Sequence, residues 1–565
     1  MSMPVAILIL GANSLATARR IKAALPDARI HGLATRVEGA DIAFTEFGET
    51  LRNLYRNGHP IVALCAAGIV IRALAPLLQS KSVEPPVLAI AEDGSAVVPL
   101  LGGLNGVNLL AREIAATLQV APAITTTGEL RFGTCLLNPP AGYKLRNLAD
   151  GKSFIANLLA GAKMRVQGEA PWLAEARLPI DDGGALLARV TTRDIQPGEN
   201  ELIFHPATIV AVVTRTGSDL AMRISAALAS AGLAPHALAS LLAPVNCMTD
   251  VEINQVAERF GIGLRFDDGD AFQAAAPTAI ATHDGDGIAL LVYRRPSEVP
   301  TIGRKRGRLT VIGLGPGDAS MMIPAARQAL DAAEDIVGYD TYVKMAGPLR
   351  DDQVVHASDN REELWRARQA FSLAASGRSV AVVSSGDPGV FAMAAAVLEA
   401  LDDAEEPAWH DVELMILPGV SAALAAAAKI GAPLGHDFCL ISLSDNLKPW
   451  SVITDRLAHA AAADFAMAFY NPISKARPWQ LGEAIEILRR YREPRTPVVL
   501  GRDVGRPAET MRVTTLGDLT PDMVDMRTVV IVGSSTTKVI GKPDGSELVY
   551  TPRWYGSPPA LKQQM

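Results

Sequence analysis

At 565 residues the chain is long enough for three or four domains of about 150 residues each, so a single small domain is excluded. Hydrophobic residues make up 49% and charged residues 20%, the balance of an ordinary globular protein, which excludes a disordered or fibrous chain. A net charge of −7 argues against a nucleic-acid binder and leaves room for local basic pockets.

The apolar run from Pro4 to Leu10 lacks a basic leader and reads as a first strand rather than a signal peptide. It runs into Gly11-Ala12-Asn13 and a helix with Ala16, Ile21 and Leu25 on one face, a βα unit. A second unit follows at Ile61-Val62-Ala63-Leu64-Cys65, with Gly68 and a helix through Arg72 and Leu77. A third strand, Val87-Leu88-Ala89-Ile90, reaches Glu92-Asp93-Gly94 and turns into Ala96-Val97-Val98-Pro99-Leu100. The loop Leu101-Gly102-Gly103-Leu104-Asn105-Gly106-Val107-Asn108 then opens a helix to Leu118. Alternating strand and helix signals place the chain in the α/β class with parallel sheets.

Asn138-Pro139-Pro140-Ala141-Gly142 punctuates the chain before a smaller middle region reaching about Pro206. From Ala207 to Val213 another strand is predicted, then helices from Asp219 to Ala231 and from Asp250 to Phe260. Pro296-Ser297-Glu298-Val299-Pro300, followed by Arg304, Lys305, Arg306 and Arg308, reads as an interdomain linker. Its basic residues lack the aromatic interleaving of a nucleic-acid site. Cys65, Cys135, Cys247 and Cys439 show no CxxC spacing and the nine histidines are dispersed, so neither disulfides nor a metal site is expected. No stretch approaches the ~18 apolar residues of a membrane span, and the expected compartment is the cytoplasm.

Beyond the linker, the strand-like run Leu309 to Ile312 stops in Gly313-Leu314-Gly315-Pro316-Gly317-Asp318. This is neither a dinucleotide fingerprint nor a P-loop, because no third glycine opens a helix and no Gly-Lys-Ser/Thr follows. Ser384-Ser385-Gly386-Asp387-Pro388-Gly389-Val390-Phe391 repeats the pattern after Val380-Ala381-Val382-Val383. Leu417-Pro418-Gly419-Val420-Ser421 repeats it again and leads into a helix from Ala422 to Lys429. Ligands of open α/β sheets sit beyond the carboxyl ends of strands, so three such loops describe one pocket wall. Further helices are predicted from Pro324 to Glu334, Glu362 to Ala375 and Gln480 to Tyr491. Strands are predicted at Phe465 to Phe469, Val498 to Leu500 and Thr528 to Val532.

These three loops resemble those of the tetrapyrrole methylases, which bind S-adenosylmethionine between two α/β lobes. Pro433-Leu434-Gly435-His436-Asp437-Phe438, Ile441-Ser442-Leu443-Ser444-Asp445, Lys448-Pro449-Trp450 and Tyr470-Asn471-Pro472-Ile473-Ser474-Lys475 are similar to the precorrin-3B C-17 methyltransferases in particular. In the front half, Gly68 to Arg72, Ala75 to Leu78, Lys81, Pro85-Pro86 and the Gly102 to Asn108 loop resemble the CbiG family of cobalamin biosynthesis. That family is associated with opening a corrin lactone with loss of acetaldehyde. Leu104 stands where that family's loop carries histidine, which weighs against hydrolysis, with Lys81, Asp93 and Arg72 as the remaining polar candidates. Thr214-Arg215-Thr216-Gly217 likewise replaces a glycine-rich loop.

The resemblance implies a multidomain α/β protein, with N-terminal α/β domains followed by a two-lobed class III tetrapyrrole methylase. Its parts are a CbiG N-terminal-like domain over 1–135, a middle region over 136–206 and a third domain over 207–300. A linker at 301–307 leads to the methylase at 308–550, with lobes of about 308–435 and 436–550. The implied cofactor is S-adenosylmethionine, contacted by Gly315, Pro316, Gly386, Asp387, Val390, Phe391, Ser421, Ala422 and Asn471. Ser534 replaces an expected asparagine. The implied substrate is precorrin-3B, a carboxylate-rich macrocycle, with Lys448, Lys475, Arg477, Arg502 and Arg506 as its candidate partners. Methylation at C-17 accompanies ring contraction, for which Asp387, Asp445 and His436 are candidate proton donors or acceptors. A homodimer through the methylase is also implied. Another tetrapyrrole methylase activity, or an active lactone hydrolase in the front half, stays open as an alternative.

Overall fold

Four consecutive apolar residues, Ala6-Ile7-Leu8-Ile9, form a strand buried on both faces, which is what a central strand of a covered parallel sheet requires. The computed structural model describes residues 3–25, 27–78, 83–215, 217–269, 273, 276–359, 362–474 and 476–555. Lys81, Thr216 and Lys475 therefore lie outside the described residues. The chain divides between Lys305 and Arg306 into two compact units.

Among the described residues the first unit holds three sheets. The leading one has six strands in the order Ile42–Phe44, Arg29–Leu33, Ala6–Ile9, Ile61–Leu64, Val87–Ile90 and Val97–Leu101. Helices Leu15–Ala24 and Val107–Leu118 cover the face that carries Ile7, Ile9, Val62 and Leu64. Helices Phe47–Arg56 and Ala67–Leu74 cover the face of Ala6, Leu8, Ile61 and Ala63. The sheet is parallel as predicted except at Val97–Leu101, which returns antiparallel through the Glu92-Asp93-Gly94 turn. Arg29–Leu33 and Ile42–Phe44 were not expected from the sequence. Arg29 and His31 break the apolar pattern of the former, yet both are buried in it.

Next comes a four-stranded sheet in the order Tyr143–Leu145, Glu201–Pro206, Leu186–Val190 and Met164–Gln167. Its core gathers Phe154, Leu158 and Phe204 with Phe132 and Leu136, so the helix Thr127–Phe132 packs with the residues after it. The third sheet has five strands, with Ile209–Val213 at its centre and helices Leu220–Ser230 and Val251–Phe260 at the expected places. The supposed linker is only partly free. Ile302 is buried, and Arg304 and Phe266 exchange both backbone hydrogen bonds at 2.8 Å.

The second unit begins with a fully parallel sheet in the order Val354–Ser358, Asp335–Tyr339, Ser379–Ser384, Arg308–Gly313 and Glu413–Leu417. Helices Glu363–Ala375 and Met393–Asp402 cover one face, and Pro324–Ala332 and Asp340–Ala346 the other. Its second large sheet runs Phe438–Ser442, Ala466–Tyr470, Thr528–Val532, Pro497–Arg502, Thr510–Thr515. This sheet is mixed. Thr528–Val532 runs antiparallel to both its neighbours. Helix Ala422–Ile430 lays Ala423, Ala426 and Ala427 against Ala468, Val499 and Ile531, joining the two lobes through small side chains. Among the described residues no helix is long and apolar enough to cross a membrane.

Candidate active site

The three glycine loops meet at the carboxyl ends of adjacent strands. Gly315 and Gly386 exchange backbone hydrogen bonds, at 3.2 Å from Gly315 N and 2.7 Å from Gly386 N. A β-carbon on Gly419 would lie 2.1 Å from the Gly386 carbonyl oxygen and 2.9 Å from Gly313, so only glycine permits this approach. Asp387 closes the cluster. Its Oδ1 accepts the Gly389 N–H at 2.8 Å and its Oδ2 the Gly419 N–H at 3.0 Å. Gly386 itself has φ +70°, and a β-carbon there would face Ser421 at 3.7 Å, so its backbone looks onto open space beside the helix that Ser421 caps. These glycines form a cradle of the kind a close-lying cofactor needs.

The second lobe contributes from its own strand ends. From the first lobe, Phe391 closes the second loop with φ +54°, a conformation costly for an aromatic residue, and its ring packs on Tyr470 of the second lobe at 5.4 Å. Tyr470 Oη accepts the Ala423 N–H at 2.9 Å, so it anchors the first turn of the helix after the third loop. Asn471, at φ +51°, donates from Nδ2 to Ser442 Oγ at 3.1 Å. Val390 donates its N–H to the Asp387 carbonyl and lies in the same turn, and Pro316 is buried in the first loop.

The candidate cations differ in their surroundings. Lys448 lies over the Phe391 ring, with Nζ 5.9 Å from its centroid, and burial together with Arg456 lowers its pKa. Arg477 donates from Nη1 to Ser444 Oγ. Arg506 donates from Nε to the Pro316 carbonyl at 3.3 Å, bridging the lobes at the first loop. Arg502 is occupied by Asp503 at 3.0 Å and Asp525 at 2.9 Å, so it serves the fold of its own loop. Asp445 accepts from Gln480 Nε2 at 3.2 Å, beyond the carboxyl end of strand Phe438–Ser442.

His436 does not join this group. It precedes strand Phe438–Ser442, whereas the site residues follow that strand, and five residues at ~3.3 Å each separate the two ends by more than a side-chain length. Its ring packs edge-on against Tyr555 at 5.2 Å, beside Asp464 and Phe465. Ser534 ends the strand Thr528–Val532, which runs the other way, and is buried against Thr536 and Thr537. It too lies at the far end.

Residues 308–520 match the family model of the Tetrapyrrole (Corrin/Porphyrin) Methylases, and residues 49–129 that of Cobalamin synthesis G N-terminal. Over 250 residues the chain is 56% identical to the Precorrin-3B C(17)-methyltransferase of a Sinorhizobium species, covering 44% of this chain and 97% of that protein. The chain belongs to the tetrapyrrole methylases. It is also 44% identical over 247 residues to the Probable cobalt-factor III C(17)-methyltransferase of Salmonella typhimurium, covering 44% of this chain and 99% of that one. The solved structure described as that of the methyltransferase CobJ is 53% identical, with a TM-score of 0.41, covering 44% of this chain and all of that one.

In this methylase, sequence reading passed over two residues that contact the candidate site. Tyr470 was noted only within a motif, yet its hydroxyl fixes the helix behind the third loop. Met526 lies just before the strand Thr528–Val532 and touches Arg477 through its sulfur at 4.0 Å. Neither carries a local signal, because both act through contacts distant in sequence.

Proposed function

We propose that the second unit transfers a methyl group from S-adenosylmethionine to C-17 of precorrin-3B, with ring contraction to precorrin-4, in cobalamin biosynthesis. The observation that carries this reading is the joining of Gly313, Gly386 and Gly419 at one strand-end cradle, facing Phe391, Tyr470 and Asn471. When bound, the cofactor supplies an electrophilic methyl on a sulfonium, and its transfer to carbon demands in-line alignment more than an acid or a metal. Effective molarities of about 10⁵ to 10⁸ M are available from orientation alone.

The chain's residues supply that orientation. Gly315, Pro316, Gly386, Val390, Phe391, Ser421, Ala422 and Asn471 line the cofactor side, largely with backbone groups. Asp387 acts as a positioning residue, since both its oxygens hold backbone N–H groups of the loops. Lys448, Arg477 and Arg506 face the carboxylates of the macrocycle, and Asp445 moves a proton during contraction. His436, at the opposite end of its strand, takes no part in this reading. The protein works in the cytoplasm as a homodimer joined through the methylase, a part of the reading that rests on family resemblance.

The test is anaerobic incubation of the purified chain with precorrin-3B, with and without S-adenosylmethionine, followed by mass spectrometry. Gain of one methyl group only with the cofactor is expected. No mass gain would overturn the reading.

A further inference from the structure

Arg477 is 9% exposed, and no Asp or Glu among the described residues pairs with it. Nη1 reaches Ser444 Oγ, but among the described residues Nε has no hydrogen-bond partner and Nη2 meets only the Met526 sulfur at 4.0 Å. A guanidinium taken out of water without a counter-charge is costly unless something offsets it. Arg492, buried in the same unit, has a carboxylate beside it, whereas buried Arg366 instead meets the Ser358 hydroxyl, the Met393 sulfur and the Asp359 carbonyl. Arg492 meets Asp464 at 3.1 Å and two backbone carbonyls at 2.7 and 3.2 Å.

The Arg477 loop is also fixed in advance. Ser474 and Arg477 exchange both backbone hydrogen bonds, at 3.1 and 3.0 Å, which pins the turn that carries the side chain. Around it the surface is unusually apolar for a loop region: Leu447 is 91% exposed, Trp479 49% and Met526 45%. Trp479 packs edge-on against Trp450 at 5.1 Å, and Trp450 follows Leu447 by three residues. A rigid, buried cation with an unused pair of parallel donors, bordered by exposed apolar side chains, suits a flat apolar ring that carries carboxylates on its rim.

We infer that the Nε and Nη2 edge of Arg477 receives one rim carboxylate of the macrocycle. The Met526 thioether covers that edge and is displaced as the carboxylate docks. Arg477 is thus the residue that sets the orientation of the ring. The inference deepens the methyltransferase reading and rests on it.

The experiment uses the full chain and compares steady-state kinetics of the parent with Arg477→Met and Arg477→Lys, alongside cofactor affinity by calorimetry. In Arg477→Met the KM for precorrin-3B should rise about 10- to 100-fold, the range of a lost charge-assisted hydrogen bond, while cofactor affinity stays within about twofold. Arg477→Lys should recover part of the loss. Substrate whose rim carboxylates are amidated should bind the parent more weakly and lose nothing further in Arg477→Met. An unchanged KM in Arg477→Met overturns the inference, as does an equal fall in cofactor affinity. If Arg477→Met does not fold, parent kinetics that ignore amidation overturn it. A parent that methylates no tetrapyrrole would instead defeat the methyltransferase reading, and the inference with it.

Discussion

The Asp387 carboxylate accepts the Gly419 N–H at 3.0 Å while its other oxygen holds Gly389, so one side chain ties the second glycine loop to the third. Hydrogen bonds to charged groups contribute about 1.5 to 3 kcal/mol each. Asp387→Ala should therefore weaken S-adenosylmethionine binding at least about tenfold by calorimetry, through loosened loops rather than a lost ligand contact. Asp387→Asn, which keeps one acceptor oxygen, should fall between parent and alanine. Equal affinity in all three would detach this carboxylate from the site.

Gly386 and Gly419 should respond differently to the same added methyl group. At Gly386 the strain is that of a left-handed residue, about 1 to 2 kcal/mol, because the nearest atom to a β-carbon is 3.7 Å away. At Gly419 a β-carbon would meet the Gly386 oxygen at 2.1 Å, and the loops must part. Both alanine variants should lose cofactor affinity, and Gly419→Ala should lower the melting temperature clearly further than the few degrees that the strain at Gly386→Ala accounts for. Identical thermal shifts would contradict the packing described.

The second unit carries its own cores, with Phe371 and Trp409 in one lobe and Phe469 and Ile485 in the other. A fragment starting at Arg306 should fold alone and bind S-adenosylmethionine with an affinity close to that of the full chain. A soluble, folded fragment that binds none would refute the division.

Burial, with His59 second, lowers the His31 pKa from 6.5 to about 4. The folded state then binds fewer protons than the unfolded state between these values, so stability is complete above pH 6.5 and falls as pH drops toward 4. The loss amounts to about 3 kcal/mol at most. Urea unfolding of the first unit at pH 7 and pH 4.5 should show this slope, and His31→Gln should flatten it.

The Gly102 to Gly106 turn uses its polar groups to hold the fold. Asn105 Nδ2 donates to the Glu84 carbonyl at 2.7 Å, and Asn108 Nδ2 to Glu129, whose other oxygen pairs with Arg112 at 2.9 Å. With leucine at position 104, no imidazole is present in this turn to act as a general base, a contribution of ~10² to 10⁴-fold. The purified protein should release no acetaldehyde from a lactone-bearing corrin intermediate. Release that disappears on deleting residues 1–206 would establish an active front half.

Much of this protein was legible in its sequence for a simple reason. Apolar runs such as Ala6 to Ile9 and Thr528 to Val532, ended by glycine turns, have few conformations other than a buried strand open to them. The helices Leu220–Ser230, Val251–Phe260 and Glu363–Ala375 lie where the sequence predicts them. The Arg29–Leu33 strand was not legible, because His31 there tolerates burial only once neighbouring strands surround it, and its depressed pKa records that cost.

Site chemistry divides along the same line. Residue types and spacing alone determined that three glycine loops follow three strands and that arginines and lysines crowd the later motifs. Which of those cations is free was decided by tertiary structure. Arg502 found Asp503 and Asp525, and among the described residues the Arg477 side chain found only a hydroxyl and a thioether. His436 and Asp445 stand nine positions apart in sequence, but an extended strand lies between them and puts them at opposite ends of the sheet. Sequence specifies local backbone preference, which acts over a few residues. Charge pairing and access to a cleft depend on contacts between distant segments, and those exist only after the chain has folded.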